Sequence, residues 1–451
     1  MKTHTVILAA GEGKRMLSTK AKSLQKLGGH SMLKRIYDLA KDLTDEFTAV
    51  VGHGKESVIA ECFKLDKKII VCEQQKALGT ADAVKSALDS ISDDSKVLVL
   101  YGDVPLIKPR TVKEVLLKTD DNLTILTTIL QNPTGYGRVK KSDTGVVEAI
   151  VEEKDATSDE KNINEIFTGV LCCSKPLLED SINRINNNNA AKEYYLTDII
   201  SIISKNGYKI NTCLASNEEV MGANSKTELA VLEKMYRKMK AKELLELGVT
   251  ISDPDRVDIR GNVTVGNDCS IDINVILDGN IKLGNNVSIG ANTILKNVEL
   301  GDNTVIEPFS HIVSSQVGNN CSIGPYARLR EGSHLEDNVR IGNFVETKKT
   351  TIGSSTKANH FSYLGDAEIG SDSNIGAGSI TCNYDGKNKN KTIIGNKSFV
   401  GTNSSLVAPV TIGSNAYIAA GSVITKDVPD SALGVGRSKQ FNKENWSKSK
   451  D

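Results

Sequence analysis

The first half of the chain alternates short apolar runs with segments of helical periodicity. Four apolar runs predict buried strands: 5–10, 48–52, 69–72 and 97–101. Three segments between them place their apolar residues on one helical face: 31–41, 57–63 and 80–88. This alternation predicts βαβ units and a parallel sheet, whose ligands bind at the carboxyl ends of the strands. We therefore expect one α/β domain over residues 1–222.

The second half has a different period. An aliphatic residue recurs at every sixth position, often with Gly or Asp behind it, first in the run Val265, Ile271, Leu277, Leu283, Ile289 and Leu295. Further runs follow short slips and end at Ile424. A period of six fits neither an α-helix nor a plain strand. It is typical of a hexapeptide β-helix, and three hexads per coil predict on the order of nine coils between Val265 and Ile424, within a domain at 251–451.

Two further segments stand out from these patterns. Residues 226–247 have helical periodicity and end before Gly248, which predicts a connecting helix within a linker at 223–250. Residues 381–391 are polar and interrupt the six-residue register. They predict a loop that leaves the solenoid, and loops on rigid scaffolds commonly carry function.

Composition narrows the class of protein. The 451 residues carry 56 Lys and Arg against 56 Asp and Glu, so a dedicated nucleic-acid or membrane-surface binder is not favoured. Aromatic residues make up only 4%, which predicts aliphatic cores. The 8 cysteines have no metal-ligand spacing, and no apolar run has the length of a signal peptide or a membrane span. We expect a reduced, cytoplasmic protein.

The turn after the first strand carries candidate phosphate ligands. The turn at Gly11 and Gly13 lacks the third glycine of a dinucleotide fingerprint, and it lacks the Gly-Lys-Ser/Thr ending of a Walker loop because Arg15 follows Lys14. Arg15 follows two residues later, and Lys22 lies one short loop further on. Backbone N–H groups and these cations could together hold a triphosphate.

Asp103 follows the strand at 97–101 and precedes Pro105. A lone aspartate at a strand end is commonly a turn or cap residue. The functional alternative is a Mg²⁺ ligand, since Mg²⁺ needs only one or two protein oxygens beside substrate phosphates. With the nearby cations, that alternative favours displacement at a phosphate.

Several ordered motifs resemble those of sugar-1-phosphate nucleotidyltransferases. They are LAAGEGKRM at 8–16, LGT at 78–80, YGDVPL at 101–106, GYGR at 135–138, VEEKD at 151–155 and EYYLTD at 193–198. Together with the hexapeptide solenoid, residues 5–446 resemble the bacterial family of bifunctional N-acetylglucosamine-1-phosphate uridylyltransferases and glucosamine-1-phosphate N-acetyltransferases. The resemblance implies a Rossmann-like N-terminal domain, a left-handed parallel β-helix and a homotrimer.

In the first half, the resemblance implies uridylyl transfer from UTP to N-acetylglucosamine-1-phosphate with release of pyrophosphate. It assigns catalytic charge neutralisation to Arg15 and Lys22, and Mg²⁺ binding to Asp103 and Asn224. It assigns nucleotide and sugar contacts to Leu8, Ala9, Ala10, Gly11, Lys22, Gln74, Gly79, Thr80, Tyr101, Gly102, Asp103, Gly137, Glu152, Thr168 and Asn224.

Three positions depart from the family pattern. Lys14 replaces a usual Thr or Ser, and Ala21 replaces a Pro, so we expect a less rigid loop before Lys22. Phe167 replaces an Asn that contacts the sugar. Because Phe cannot make those hydrogen bonds, we leave Phe167 out of the predicted site.

In the second half, His360 is either a surface histidine or a general base. The six-residue register predicts that Arg330, Lys348 and Asn374 lie near it on neighbouring coils. The resemblance implies that His360 takes a proton from the glucosamine amine as the amine attacks acetyl-CoA. It assigns the glucosamine-1-phosphate site to Arg330, Lys348, Tyr363, Asn374 and Lys389. It assigns the acetyl-CoA site to Ala377, Asn383, Tyr384, Thr402, Ala420 and Arg437, with Thr402 replacing a usual Ser.

Other functions are open from the residues alone. The basic tail at 439–450 is either a solvated end or, as in the family, a segment that crosses to a neighbouring subunit. The solenoid could serve assembly only, in a nucleotidyltransferase with a single activity. A third alternative is a polysaccharide- or ice-binding β-helix, which needs repeated Thr or aromatic ladders. We expect no such ladder in this chain.

Overall fold

The computed structural model describes residues 1–120 and 122–448, and the chain divides into two units, Met1–Tyr236 and Arg237–Asp451. The last positions of the predicted basic tail, 449–450, lie outside the described residues. The domain bounds read from the sequence stay a prediction. Within the two described ranges, no helix combines the length and hydropathy needed to cross a bilayer.

The first unit is built on a twisted sheet with a small separate hairpin. Its strands are β1 Lys2–Leu8, β2 Lys26–Leu27, β3 His30–Ser31, β4 Glu46–Val51, β5 Ile70–Glu73, β6 Ser95–Tyr101, β7 Leu123–Ile129, β8 Arg138–Lys141, β9 Val147–Val151, β10 Glu165–Ser174 and β11 Ile210–Leu214. The sheet order is β11-β7-β10-β6-β1-β4-β5, with β8 and β9 attached beside β10 and the hairpin β2-β3 apart. β1 runs parallel to both β4 and β6, which confirms the predicted βαβ arrangement. β10 is antiparallel to β6 and β7.

Among the described residues, seven helices lie between these strands, and two more follow β11. They are α1 Met32–Ala40, α2 Lys55–Leu65, α3 Thr80–Lys85, α4 Pro109–Lys118, α5 Ser158–Lys161, α6 Lys175–Asn183, α7 Asp198–Lys205, α8 Asn217–Val220 and α9 Lys226–Glu246. Successive residues of β1 point to opposite faces, since Val6 and Ile7 enter separate buried clusters. Both faces of the sheet are therefore covered, which explains why the predicted strands contain continuous apolar runs, as at 97–101, rather than an alternating pattern.

The second unit is a stack of coils whose strands pair in parallel. One face carries the strands Thr250–Ile251, Ser270–Ile271, Ser288–Ile289, Val305–Ile306, Ser322–Ile323, Arg340–Asn343, Lys357–His360, Asn374–Ile375, Phe399–Val400, Tyr417–Ile418 and Leu433–Gly434. This first face therefore counts eleven strands in the described residues, more than the nine coils expected. The two additional strands are Thr250–Ile251, before the first regular hexad at Val265, and Leu433–Gly434, after the last hexad at Ile424.

Four strands bend across the two remaining faces in the early coils: Asp258–Val265, Ile276–Leu283, Ile294–Leu300 and His311–Val317. Later coils divide each bent strand in two. The second face then continues through Arg328–Leu329, Glu346–Lys348, Tyr363–Gly365, Ile380–Cys382, Ser405–Val407 and Val423–Ile424. The third continues through His334–Leu335, Thr351–Ile352, Ala367–Ile369, Thr392–Ile394 and Val410–Ile412.

The hexad aliphatics fill the centre of this stack. Leu277, Leu295 and Ile312 are each fully buried, as the six-residue pattern predicts. Residues with positive φ form the corners between faces, as at Phe361, Lys349 and Ser355. These left-handed residues let the chain turn sharply while the backbone stays hydrogen-bonded to the next coil.

An exposed row of aromatic side chains follows one corner of the stack. Phe309, Tyr326, Phe344 and Phe361 succeed one another on four coils, with ring centroids 4.9, 5.3 and 5.1 Å apart. All four are substantially exposed. The expectation that no aromatic ladder recurs is therefore wrong. The rings are 17 or 18 residues apart, a spacing of one coil, so the six-residue pattern does not reveal them.

Candidate functional site

A cavity of about 780 Å³ opens in the first unit where the parallel strands end. Its walls come from the residues that follow β1, β4, β5 and β6. The predicted residues that line it are Leu8, Ala9, Ala10, Gly11, Lys22, Gln74, Gly79, Thr80, Tyr101, Gly102 and Asp103. The sheet edge therefore collects most of the predicted nucleotide contacts, as expected for a parallel α/β fold.

Lys22, Asp103 and Asn224 converge at one side of this cavity. The Lys22 Nζ donates to Asp103 Oδ2 and, at 2.5 Å, to Asn224 Oδ1. A carboxylate oxygen and an amide oxygen thus face one cation together, and such hard oxygen donors suit Mg²⁺. Elsewhere the described residues contain no group of three His, Cys, Asp or Glu side chains that could hold a metal.

The loop around Gly79 is fixed by distant backbone. Gly79 has φ +128°, and a Cβ there would lie 2.4 Å from the carbonyl oxygen of Tyr194. Tyr194 N–H donates to Leu78 O at 2.8 Å, and Ala81 N–H donates to Tyr194 O at 2.9 Å. Gln74 Nε2 donates to Gly79 O at 3.0 Å. The motifs at 78–80 and 193–198 therefore form one structural unit.

Tyr101 connects the cavity to the predicted sugar contacts. Its hydroxyl is hydrogen-bonded to Thr80, and burial, then the nearby Glu152 carboxylate, raises the pKa of Tyr101. Burial also raises the pKa of Glu152, although Thr197 Oγ1 donates to Glu152 Oε1 at 2.9 Å and opposes the shift. Gly137 lies beside that carboxylate, since a Cβ there would be 3.6 Å from Glu152 Oε1. Glu152 and Gly137 therefore form a polar wall next to the cavity.

Not every predicted residue of the first unit points into the cavity. Thr168 is buried and its hydroxyl donates to Leu126 O at 2.9 Å. Arg15 is exposed and lies outside the set of described residues that line the cavity. Residues that the sequence reading missed form the opposite wall, mainly 52–57 after β4. Their position after a parallel strand is the signal that could have identified them.

The three departures from the family pattern have structural consequences. Phe167 is buried in the core, and its backbone N–H donates to Gly137 O at 2.9 Å, beside the predicted sugar contacts. Ala21 is buried with φ −51°, which is within the range of proline. Lys14 is exposed and pairs with Glu12 at 3.2 Å.

In the second unit, three cations meet at the corner after the second face. The charge and hydrogen bonding of Lys389, followed by burial and Arg330, lower the pKa of Lys348. Glu346 Oε1 accepts from Arg330 Nη1 at 2.9 Å and offsets only part of this charge. Tyr363 lies close to Arg330 and folds its hydroxyl over Gly365. A phosphate bound here would offset the positive charge that disfavours the protonated form of Lys348.

The polar loop at 381–391 positions Lys389. Asp385 accepts from Lys387 N–H at 2.8 Å and Asn388 N–H at 2.6 Å, which closes a tight turn. Tyr384 forms an isolated bridge with Lys389, and its hydroxyl donates to Gly386 O at 2.7 Å. Asn383 is buried and donates to Asp366. The loop is therefore ordered and returns Lys389 to the coil surface, as a functional loop requires.

His360 lies at another corner, after the first face. Strand pairing aligns Asn343 with His360, and the pairs that follow place Ala377, Thr402 and Ala420 at the equivalent position of the next coils. The Arg437 side chain approaches Gly421, directly after Ala420. The predicted acetyl-CoA residues Ala377, Thr402, Ala420 and Arg437 therefore form one edge that leads to His360.

The expected cluster around His360 is divided in the described chain. Asn374 is on the first face of the neighbouring coil, as expected. Arg330 and Lys348, however, belong to the next corner, beyond the strand Tyr363–Gly365. The expectation that they join His360 within one chain is wrong, because a face of the coil separates the two corners.

Comparisons with known proteins agree with both units. Residues 5–139 match the MobA-like NTP transferase domain, residues 256–341 match the GMPPB C-terminal domain, and residues 391–426 match six repeats of the bacterial transferase hexapeptide. The bifunctional protein GlmU of Acinetobacter baumannii (strain AYE) is 47% identical over 99% of this chain and 98% of that protein. Those of Marinobacter nauticus and Alcanivorax borkumensis are 44% and 47% identical, over 99% and 100% of both chains.

Proposed function

The chain belongs to the family of bifunctional GlmU proteins, and we propose that it makes UDP-N-acetylglucosamine by two transfers, one in each unit. The second unit acetylates glucosamine-1-phosphate, and the first transfers a uridylyl group from UTP to the product. The observation that carries this proposal is that one chain holds both the strand-end cavity with Lys22 and Asp103 and the coil edge that leads to His360.

In the first unit, the phosphate oxygen of N-acetylglucosamine-1-phosphate attacks the α-phosphorus of UTP in line, and pyrophosphate leaves. Lys22 at the cavity wall neutralises developing negative charge, with Arg15 acting from the exposed turn. Tyr101, Gly79 and Gln74 hold the nucleotide side, and Glu152 and Gly137 face the sugar. Asp103 and Asn224 are the oxygen donors for Mg²⁺, which when bound supplies further charge neutralisation.

In the second unit, His360 acts as the general base. A neutral imidazole takes a proton from the glucosamine amine, the nitrogen forms a bond to the thioester carbonyl of acetyl-CoA, and the coenzyme leaves as its thiol. His360 is exposed at the end of its strand, so its ring is accessible to substrate. Arg330, Lys348 and Lys389 hold the sugar phosphate. The edge from Ala377 to Ala420 receives the coenzyme.

The proposed acetyl-transfer residues lie at two corners of one chain, and this division supports assembly of several copies of the chain. One chain presents His360 at one corner and the phosphate cations at the next, so a second copy can bring the two corners together. A closed ring of identical copies satisfies every such site. We propose the homotrimer that the family resemblance implies, with a left-handed solenoid. The cytoplasm is the proposed location, because all 8 cysteines are free and unpaired cysteines favour a reducing compartment.

A pair of histidine variants tests the assignment. His360→Ala is expected to lower the rate of acetyl transfer by roughly 10²- to 10⁴-fold, the usual contribution of a general base. His334→Ala, which removes an exposed histidine of the third face, serves as the matched control and leaves both activities unchanged. Mass spectrometry would follow N-acetylglucosamine-1-phosphate and UDP-N-acetylglucosamine separately.

Measuring both reactions on one chain distinguishes an enzyme with two activities from one whose solenoid serves assembly only. UDP-N-acetylglucosamine should appear from glucosamine-1-phosphate only when acetyl-CoA, UTP and Mg²⁺ are all present. If the wild-type chain converts N-acetylglucosamine-1-phosphate but never acetylates glucosamine-1-phosphate, the solenoid serves assembly only. If His360→Ala keeps full acetyl transfer, His360 is not the base.

A further inference from the structure

The ammonium group of Lys22 lies where the two proposed metal ligands meet. Its Nζ is within hydrogen-bond reach of both Asp103 Oδ2 and Asn224 Oδ1. The side chains of Lys22 and Asp103 are only 15% and 21% exposed, so water competes weakly for these contacts. The Lys22 ammonium thus occupies the two oxygens that would otherwise bind a divalent cation.

Both sides of this contact are held in place by the fold. Lys22 begins the short 3₁₀ turn Lys22–Leu24, and Gly13 packs against its stem so closely that a Cβ there would lie 2.9 Å from Lys22 Cβ. On the other side, Asn224 N–H donates to Glu228 Oε2 at 2.6 Å. The stem of Lys22 and the backbone of Asn224 are therefore anchored, and the flexible end of Lys22 is the part that can move.

We propose that the Lys22 ammonium and a divalent cation compete for one pair of oxygens, Asp103 Oδ2 and Asn224 Oδ1. The metal then binds tightly only when Lys22 has turned into the adjoining cavity, where nucleotide phosphates offer it other oxygens. This inference rests on the proposed function of the first unit. It makes Lys22 a residue that couples metal binding to nucleotide binding, in addition to its role in charge neutralisation.

The expected size of the effect follows from charge. Lys22 is both a competing donor for the oxygens and a like charge beside the metal, and removing a unit charge a few ångströms away near a protein surface changes affinity by about tenfold or more. A neutral side chain at position 22 should therefore tighten metal binding in the absence of nucleotide by about tenfold.

The test is a titration of the full-length chain with Mn²⁺ alone, with free Mn²⁺ measured by electron paramagnetic resonance. Lys22→Met is expected to bind Mn²⁺ about tenfold more tightly than the wild type, and Lys22→Gln serves as a second neutral variant. Lys22→Arg keeps the charge and should retain weak binding. Lys20→Met removes an exposed lysine two residues away and should leave Mn²⁺ affinity unchanged.

Equal or weaker Mn²⁺ binding in both neutral variants, with unchanged thermal unfolding, overturns the competition. Asp103→Ala separates this failure from a failure of the proposed function. If Asp103→Ala binds Mn²⁺ as well as the wild type, these oxygens are not the metal site. If it loses Mn²⁺ while Lys22→Met gains nothing, the metal site stands and only the competition is wrong.

Discussion

Replacing Gly79 by alanine should damage the nucleotide loop and leave the other activity of the chain intact. Gly79 has φ +128°, a conformation that side chains rarely adopt, and an added Cβ would lie 2.4 Å from Tyr194 O and 2.7 Å from Tyr194 N. A rigid backbone cannot yield as a flexible side-chain tip does. The loop must therefore move away from Tyr194, and Thr80 must move with it.

The magnitude follows from what that movement breaks. Backbone strain at such a position costs about 1–3 kcal/mol. Losing the two hydrogen bonds of the Tyr194 backbone, at 2.8 and 2.9 Å, adds about 1 kcal/mol each. The free energy of unfolding of the first unit should thus fall by about 4 kcal/mol, a loss of about 10 °C in Tm for a unit of this size.

The assay compares Gly79→Ala with Gly145→Ala. Gly145 also has a positive φ, +81°, but an added Cβ would meet nothing within 4 Å, so its variant should lose only about 1 kcal/mol. Thermal unfolding would be followed at the transition that UTP shifts upward. The KM for UTP should rise for Gly79→Ala, while acetyl transfer by the same sample stays normal. Equal losses of Tm in both variants would refute the reasoning.

Three further predictions concern other parts of the chain. Ala21→Pro should raise the free energy of unfolding in urea by about 0.4–1 kcal/mol, because φ at Ala21 is −51° and its N–H donates to none of the described residues; a loss would show that the ring does not fit. Because Lys389 lowers the pKa of Lys348, affinity for glucosamine-1-phosphate should weaken as pH rises through that lowered pKa. In Lys389→Met the pKa returns upward, so the rise in KM with pH should begin at a higher pH; an unmoved profile would contradict this cause. Glu228→Ala removes the acceptor of Asn224 N–H and should raise the Mg²⁺ concentration for half-maximal uridylyl transfer by about tenfold, with little change at saturating metal.

Much of the architecture could be predicted because local sequence patterns determine the strands, the helices and the coils. The buried strand Ser95–Tyr101 contains the continuous apolar run 97–101, since both of its faces are covered. Aliphatic residues at every sixth position predict the solenoid. The sheet edge at which Asp103 lies also follows from the order of strands and helices, because parallel strands end at one edge.

Contacts between distant segments could not be predicted in the same way. Tyr194 packs on Gly79 across more than a hundred residues, and nothing in either local sequence specifies that contact. The aromatic row from Phe309 to Phe361 repeats once per coil, so a search within single hexads misses it. The separation of His360 from Lys348 depends on which corner each residue occupies, and one added or lost residue per coil shifts that corner.

One edge of the solenoid carries residues at a regular spacing of one coil. They are His360, Ala377, Thr402 and Ala420, which occupy equivalent positions of successive coils. Strands of adjacent coils are about 4.8 Å apart, so three steps along this edge span about 14 Å. A duplicated coil ahead of Ile306 would lengthen the stack and leave this interval untouched. A duplicated coil between Ala377 and Ala420 would lengthen it by one step and carry the far end of an extended coenzyme out of register with the base. If the coenzyme binds along this edge as proposed, the number of coils can vary in one part of the solenoid, while the reach of the coenzyme fixes that number in the other.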